Sequence, residues 1–586
     1  MSYSSPSPSP SISVTSGERL TSINHDNNKV KWSTLIHNGV CFPPDYQLKG
    51  LNCKINGETF LLNRDQEELI YSWAKKKDTH YVNDAVFQRN FLNDFKKFLP
   101  KEYCNALESI DQIDFTDFFR FVDNEKKEKE KEKEKLRNLT IEERKKTALE
   151  KKKEKEKLRN FYGKAIIDGI EVDVANWLVE PPGLFMGRGQ HPLRGRWKPR
   201  VFPRDVILNL GEDAPVPEGA WQKIVHDHSS TWLASWIETL TGKRKYVWLH
   251  DSSLIRQNYD KAKYDKAKNL EKYIVKIQNE IIKRMSSKDI NQKRIATVCY
   301  LIFKLAMRVG DEKDPDESDT VGASTLRIEH IHFVNDKTGT NTIEFNFLGK
   351  DSVPWQKTIK IDSKEIETLY NNLRLFMKNK SHSDPIFDNI NSMKVNHFLR
   401  NIDPKNVPGL TAKVFRTYIA TRVVKQVLKN PSLKVDPHSP EAKKIYVAKF
   451  ANLQAAITCN HKKGIDPTNP ANKISLEKFE ISVKNKKMAI QTIKKDIASN
   501  KWKSEKQKIK MEERLEKLES QLKLHKETRE YNLGTSLRNY IDPRVFKAWM
   551  NYMDLQWTRI YTSTLQRKFL WVENISKKEL NNFFPR

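Results

Sequence analysis

The 586-residue chain carries 105 Lys and Arg against 75 Asp and Glu, a formal charge of +30, which points to a polyanionic partner, either nucleic acid or an anionic membrane surface. No apolar run approaches the ~18 residues needed to span a bilayer, and the opening MSYSSPSPSPSISVTSG lacks the hydrophobic stretch of a signal peptide. The five cysteines (Cys41, Cys53, Cys104, Cys299, Cys459) form no CxxC pair and the 14 histidines no HExxH. The expectation is therefore a soluble intracellular protein of several domains, with no disulfide framework, no membrane segment, no metal site and no cofactor.

Residues 1–29 are Ser/Pro-rich and predict a disordered tail, with order beginning at Val30-Lys31-Trp32. In VFQRNFLNDFKKFLP, Phe87, Phe91, Phe95 and Phe98 recur at helical spacing, a core stripe. Residues 124–160 alternate Lys and Glu with i,i+3 pairs such as Glu128–Lys131, which predicts a solvated helix. Six tryptophans and β-type runs such as Lys245–Leu249 suggest a sheet-containing unit over 161–250. Within it, EPPGLFMGRGQHP (180–192) flanks Arg188 with glycines that permit close backbone approach to a phosphate or base edge. The basic run Arg194, Arg196, Lys198, Arg200 and Arg204 follows, interleaved with aromatics as in a nucleic-acid groove.

Helical patterns cover 265–285, 290–309 and 439–460. They are interrupted by β alternation over 325–361, where Thr342–Phe347 reads as a strand, Leu348–Ser352 as a turn, and Gly339 as the turn of the preceding hairpin. Residues 471–530 are helical and charged. Met511, Leu515, Leu518 and Leu522 make a short heptad seam, and Ala498–Lys501 makes the turn of an antiparallel hairpin. The aromatics Phe546, Trp549, Trp557, Tyr561, Phe569 and Trp571 predict helices packed on the body.

Near the C-terminus, LGTSLRNYIDPR (533–544) singles out Tyr540 as a candidate nucleophile. A phenol with pKa ~10 is a poor nucleophile at neutral pH and needs cationic help. Four cationic windows precede it: KLAMRVGDEK (304–313), FLGKDS (347–352), LTAKVFRTY (410–418) and ITCNHK (457–462). Arg308 and Arg416 stand at the ends of apolar helical patterns, where a guanidinium needs an anionic partner. With a lysine and a histidine they could clamp a phosphodiester and stabilise a pentacoordinate transition state; taken singly, each is more often a structural ion pair.

In this order, EPPGLFMGRGQHP, KLAMRVGDEK, DTVGASTLRIEHI, FLGKDS, LTAKVFRTY, CNHKK and LGTSLRNYIDPR resemble the eukaryotic type IB DNA topoisomerases over nearly the whole chain. The resemblance implies that Tyr540 attacks a DNA phosphodiester to leave a 3′-phosphotyrosyl ester. Arg308 and Arg416 then bind the non-bridging oxygens, His461 hydrogen-bonds one of them, and Lys350 protonates the leaving 5′-oxygen. Arg188, His191, Lys198, Arg200, Asp351, Lys413 and Asn539 become DNA contacts.

The implied fold is α+β and mostly helical: a two-lobed clamp with a tyrosine-recombinase-like catalytic lobe, a coiled-coil linker and a small helical C-terminal domain. The divisions are a cap lobe at 30–250, a catalytic lobe at 251–463, a linker at 464–530 and a C-terminal domain at 531–586. The partner is double-stranded DNA, the protein a monomer, the location nuclear. Two positions depart from the family pattern: Met186, where a basic residue is usual, and Leu537-Arg538, where Ser-Lys-x-Asn-Tyr is usual and the cation has moved by one. The competing readings are a tyrosine recombinase and a non-catalytic DNA clamp. Lys413-Val414-Phe415-Arg416 has the topoisomerase form, not the His-x-x-Arg of recombinases.

Overall fold

The computed structural model describes residues 30–584 except 313–316, 336–340 and 465–469, so the expected N-terminal tail and the Gly339 turn lie outside the described residues. The architecture is α+β and mostly helical, organised on three hydrophobic cores. Among the described residues no helix is long and apolar enough to cross a membrane.

The first core gathers around Trp73, Phe87, Phe91 and Phe95. The three phenylalanines are fully buried on the helix Ala85–Lys96, whose start is capped by the Asp84 carboxylate. Phe91 stacks on Trp73 at 4.4 Å. Phe98, expected in the same stripe, is only half-buried, because the helix ends two residues before it.

The second core lies under a four-stranded sheet ordered Lys223–Val225, Val206–Asn209, Trp232–Ile237, Arg244–Trp248, together with Trp32, Leu35 and Ile167. Leu35–His37 pairs antiparallel with Lys164–Ile167, which brings the start of the described residues beside the end of the charged segment. That segment is two helices, Thr116–Asn138 and Ile141–Tyr162, where one was expected. The break has a local cause: Thr140 and Glu143 form a capping box, which starts a new helix.

The third core runs from Tyr264 to Phe583. It joins the helices Leu254–Met285, Ile290–Leu305, Ala412–Leu428 and Glu441–Thr458 to an antiparallel sheet of Ile331–Asn335, Asn341–Gly349 and Val353–Lys360. Residues 531–584 share this core, with Phe546, Trp549 and Phe569 fully buried in it. Their anchor is Arg544, fully buried and paired with Asp542, Asp265 and Glu579. A buried cation is tolerated only when paired in this way. Between these parts, Pro470–Ala498 and Glu505–Glu527 form a helical hairpin. Met511, Leu515, Leu518 and Leu522 are half-buried along its seam, and Lys494 pairs with Glu519 across it at 2.7 Å.

Candidate active site

The helix expected over 290–309 stops at Leu305, because Ala306 turns left-handed at φ 54°. Nothing in Leu305-Ala306-Met307 signals a stop. The Ala306 carbonyl instead accepts a hydrogen bond from Arg416 Nη1, 110 residues away. The chain then leaves Arg308 in a loop stapled to 322–324: Ala323 N–H donates to the Arg308 carbonyl and Ser324 N–H to that of Val309, both at 2.8 Å. Gly310 and Gly322 pack backbone to backbone there. A Cβ on Gly322 would lie 2.5 Å from the Gly310 Cα, so neither position has room for a side chain.

Arg416 stands in the second turn of Ala412–Leu428, 4 % exposed. Its Nη2 donates to the Cys459 carbonyl at 3.1 Å and to His461 Nε2 at 3.3 Å. Its buried Nε–H has no acceptor among the described residues. His461 follows the helix Glu441–Thr458, with its N–H bonded to the Ala456 carbonyl at 2.8 Å. Because Nε2 accepts from Arg416, the proton of the neutral ring sits on Nδ1, which donates to Ser536 Oγ at 2.6 Å. Burial, reinforced by the charges of Arg416 and Arg308, holds the His461 pKa down at about 3.

Tyr540 closes the short helix Leu533–Asn539 as its C-terminal cap and is 6 % exposed. Its hydroxyl accepts from Arg308 Nη1 at 2.9 Å, a contact across 232 residues of sequence. Its ring stacks on His461 at 5.0 Å, and the Arg416 guanidinium lies 5.0 Å from the ring centre. Burial alone would favour the neutral phenol. The charges of Arg416 and Arg308 and their hydrogen bonds outweigh it, so the Tyr540 pKa falls below the usual phenol value.

A cavity of about 90 Å³ is lined by Arg308, Arg416, His461 and Lys350. Lys350 is exposed and opens the turn between Asn341–Gly349 and Val353–Lys360, where Asp351 and Ser352 are both left-handed (φ 67° and 56°). The tertiary fold thus brings together all five residues of the expected constellation. Two fixed guanidiniums and a neutral imidazole lining a small cavity, with a phenol biased toward phenolate bonded to one guanidinium and stacked on the imidazole, suit attack on a phosphodiester.

Comparison with known proteins agrees with the residue pattern. Residues 30–249, 252–497 and 512–581 match family models described as the DNA binding fragment and the catalytic core of eukaryotic DNA topoisomerase I, and as the C-terminal topoisomerase domain. DNA topoisomerase 1 of Homo sapiens is 34 % identical over 570 residues, covering 94 % of this chain and 72 % of the human protein. The chain belongs to the eukaryotic DNA topoisomerase I family. DNA topoisomerase 1 of Caenorhabditis elegans is 35 % identical over 562 residues, covering 92 % of this chain and 66 % of the nematode protein. DNA topoisomerase 1 alpha of Arabidopsis thaliana is 34 % identical over 572 residues, and this chain, 93 % covered, spans 59 % of the plant protein's length.

The outer residues of this topoisomerase I family member are placed less uniformly than its sequence suggests. Arg188 is 70 % exposed and ion-pairs with Asp351. Its carbonyl accepts from Ser318 Oγ at 3.1 Å and, more distantly, from Ser352 Oγ. Gly189 (φ +57°) allows this approach, since a Cβ there would lie 2.6 Å from Ser352 Oγ. His191 packs edge-to-face on Phe185 in the same loop. Lys413 is exposed one turn before Arg416, and Asn539, half-buried, donates to the Thr535 carbonyl at 3.2 Å.

The expected basic stripe is not a free one. Arg194 pairs with Asp84, Arg196 with Asp94, and Lys198 with Glu180 and Glu238. Arg200, 11 % exposed, is held by Glu68 and the carbonyls of Pro43 and Pro44. Acidic residues distant in sequence neutralise these four members of the run, while Arg204 is exposed and lies over the Phe202 ring, so Lys198 and Arg200 brace residues 30–250 in this structure. Both family departures also have local explanations. Met186 packs against the first core. Leu537 is buried, while Arg538 reaches Asp251 at 2.7 Å, so the shifted cation ties the tyrosine segment to the start of the third-core helices. Two residues escaped the sequence reading: Ser536, inside the quoted motif, and Thr421, whose hydroxyl donates to the Tyr540 carbonyl at 3.3 Å. For Ser536 the signal was its spacing of four from Tyr540, which makes the two neighbours on a helix.

Proposed function

We propose that this chain relaxes supercoiled double-stranded DNA by transient single-strand cleavage and religation, without ATP or a required metal. The observation that carries the reading is the buried Tyr540 hydroxyl bonded to Arg308, beside an Arg416 Nε–H that lacks an acceptor among the described residues. In the reaction, Tyr540 Oη forms a bond to phosphorus as the bond to the 5′-oxygen breaks. The two guanidiniums ease loss of the phenolic proton to water, and the 5′-oxygen takes a proton from Lys350. Arg308, Arg416 and His461 hold the non-bridging oxygens as negative charge builds on them. The 3′-phosphotyrosyl ester conserves the bond energy, so attack by the 5′-hydroxyl restores the strand with no external energy source.

In this reading the chain is a clamp on duplex DNA. Residues 30–250 form the cap, 251–463 a tyrosine-recombinase-like catalytic lobe, 464–530 a coiled-coil linker and 531–586 the tyrosine-bearing domain. Support for ring closure comes from the cap loop around Arg188 meeting the turn at Asp351 and Ser352, and Lys243 meeting Glu317. Arg188, His191, Asp351, Lys413 and Asn539 would then line the duplex. Monomeric action in the nucleus follows from the family alone.

The test is relaxation of negatively supercoiled plasmid in EDTA without ATP, comparing wild type with Tyr540→Phe. Wild type should relax the plasmid to completion. Tyr540→Phe should bind DNA and relax none, because it loses the attacking oxygen and keeps the ring packing. A recombinase would act only at its own sites, and a binding protein would only retard DNA in a gel. Relaxation by the purified variant would remove Tyr540 from the nucleophile role.

A further inference from the structure

We infer that Ser536 is a positioning residue for His461, delivering the imidazole to the phosphodiester together with the nucleophile. The inference rests on the functional reading above and adds a residue to its machinery. Ser536 is fully buried and its hydroxyl lies 2.6 Å from His461 Nδ1. It belongs to the same short helix that Tyr540 caps, and its carbonyl accepts from the Tyr540 N–H at 3.0 Å. The Asn532 N–H, at the start of that helix, also donates to the His461 carbonyl at 2.7 Å. The helix carrying the tyrosine therefore grips His461 by backbone and by side chain, and the ring stacks on Tyr540. When this segment docks, nucleophile and imidazole arrive as one unit.

The chemistry of a hydroxyl suits both tautomers of the His461 ring. In this structure Arg416 donates to Nε2, so Nδ1 carries the proton and Ser536 Oγ accepts the hydrogen bond. With a phosphodiester in place, Arg416 turns to phosphoryl oxygens and Nε2 must become a donor. A serine hydroxyl can rotate and donate to a bare Nδ1, which fixes the proton on Nε2. The net change is one proton leaving Nδ1 and one arriving at Nε2, exchanged with water while the cleft is open. Alanine can do neither, and leaves the ring free to turn away from the cavity.

The test is a double-mutant cycle on the full chain. The substrate is a duplex whose cleaved strand releases a short 5′-hydroxyl fragment, so that each cleavage traps one phosphotyrosyl adduct. Rates are measured in single turnover at saturating protein, with the DNA dissociation constant taken from gel retardation. Ser536→Ala should cleave about 10- to 100-fold slower than wild type, the range seen when a metal-bound histidine loses its orienting partner, with DNA affinity within about twofold. In a His461→Ala background the same change should have no further effect. Ser536→Cys, a weaker partner of similar size, should fall between serine and alanine and should also be silent in that background. Effects that multiply in the double variant, or wild-type cleavage by Ser536→Ala, would overturn the inference. Failure of wild type itself to form the adduct would overturn the functional reading instead.

Discussion

Removing Arg416 tests the electrostatics of the site most directly. Its guanidinium lies 5.0 Å from the Tyr540 ring centre, braces the carbonyls of Ala306 and Cys459, and keeps a buried Nε–H without an acceptor among the described residues. Two losses follow in Arg416→Ala. A fixed donor to the developing oxyanion disappears, which costs about 2.7–4 kcal/mol, or 10²–10³ in rate. Tyr540 also loses the more strongly acting of the two charges that lower its pKa, while the burial that raises it remains. Each unit of that rise removes about tenfold of the phenolate present at a given pH below it. Together these predict a fall of roughly 10³-fold or more in single-turnover cleavage near neutral pH. Cleavage should also keep climbing with pH to a higher value than in wild type, because the phenol titrates later. Arg416→Lys, which keeps the charge and loses the fork, should recover part of the loss and restore an earlier plateau. The measurement is adduct formation on a trapping duplex between pH 6 and pH 10. Cleavage by Arg416→Ala within tenfold of wild type, or with an unchanged pH profile, would refute the reasoning.

Lys350→Ala should slow cleavage by about 10²–10⁴-fold, the usual worth of a general acid, and far less when sulfur replaces the bridging 5′-oxygen, since a thiolate leaves without protonation. Equal losses on both substrates would make Lys350 a DNA-positioning residue. Deleting 471–525 and supplying 526–586 as a separate chain should restore relaxation, because the fragment can rebury Phe546, Trp549 and Phe569 and re-pair Arg544 with Asp265. Two folded pieces that reconstitute no activity would contradict this division. His37 is buried between the Asn209 carbonyl and the Gly39 N–H, and burial, against its hydrogen bonds to backbone carbonyls, lowers its pKa to about 4. Its folded value lies below the unfolded one, so its contribution is complete above about pH 6.5 and is lost as pH falls toward the folded value, at up to ~1.4 kcal/mol per unit. His37→Gln should flatten that fall in urea unfolding followed by tryptophan fluorescence; parallel curves for variant and wild type would exclude the effect.

Local pattern made much of this protein legible in its sequence. Phe87, Phe91 and Phe95 fall on one helical face, and the strand at Thr342–Phe347 and its turn at Lys350 follow from alternation and a glycine. The helical hairpin after residue 470 follows from charge and a heptad seam. Each of these signals acts between residues a few positions apart, where backbone geometry alone fixes which side chains are neighbours. The spaced motifs likewise identified Tyr540, Arg308, Lys350, Arg416 and His461 as a set. Local pattern could not foresee the stop at Ala306, which lacks a glycine or proline and is accompanied by a hydrogen bond from Arg416. Nor could it foresee that Arg194, Arg196, Lys198 and Arg200 would meet acidic partners as distant as Glu68 and Asp84. The protonation state of the site also belongs to the tertiary structure. Tyr540 shifts toward phenolate and His461 stays neutral because folding brings two guanidiniums, an imidazole and a phenol out of water into one small volume. Desolvation and Coulomb energy depend on those distances in space, which separation along the chain does not encode.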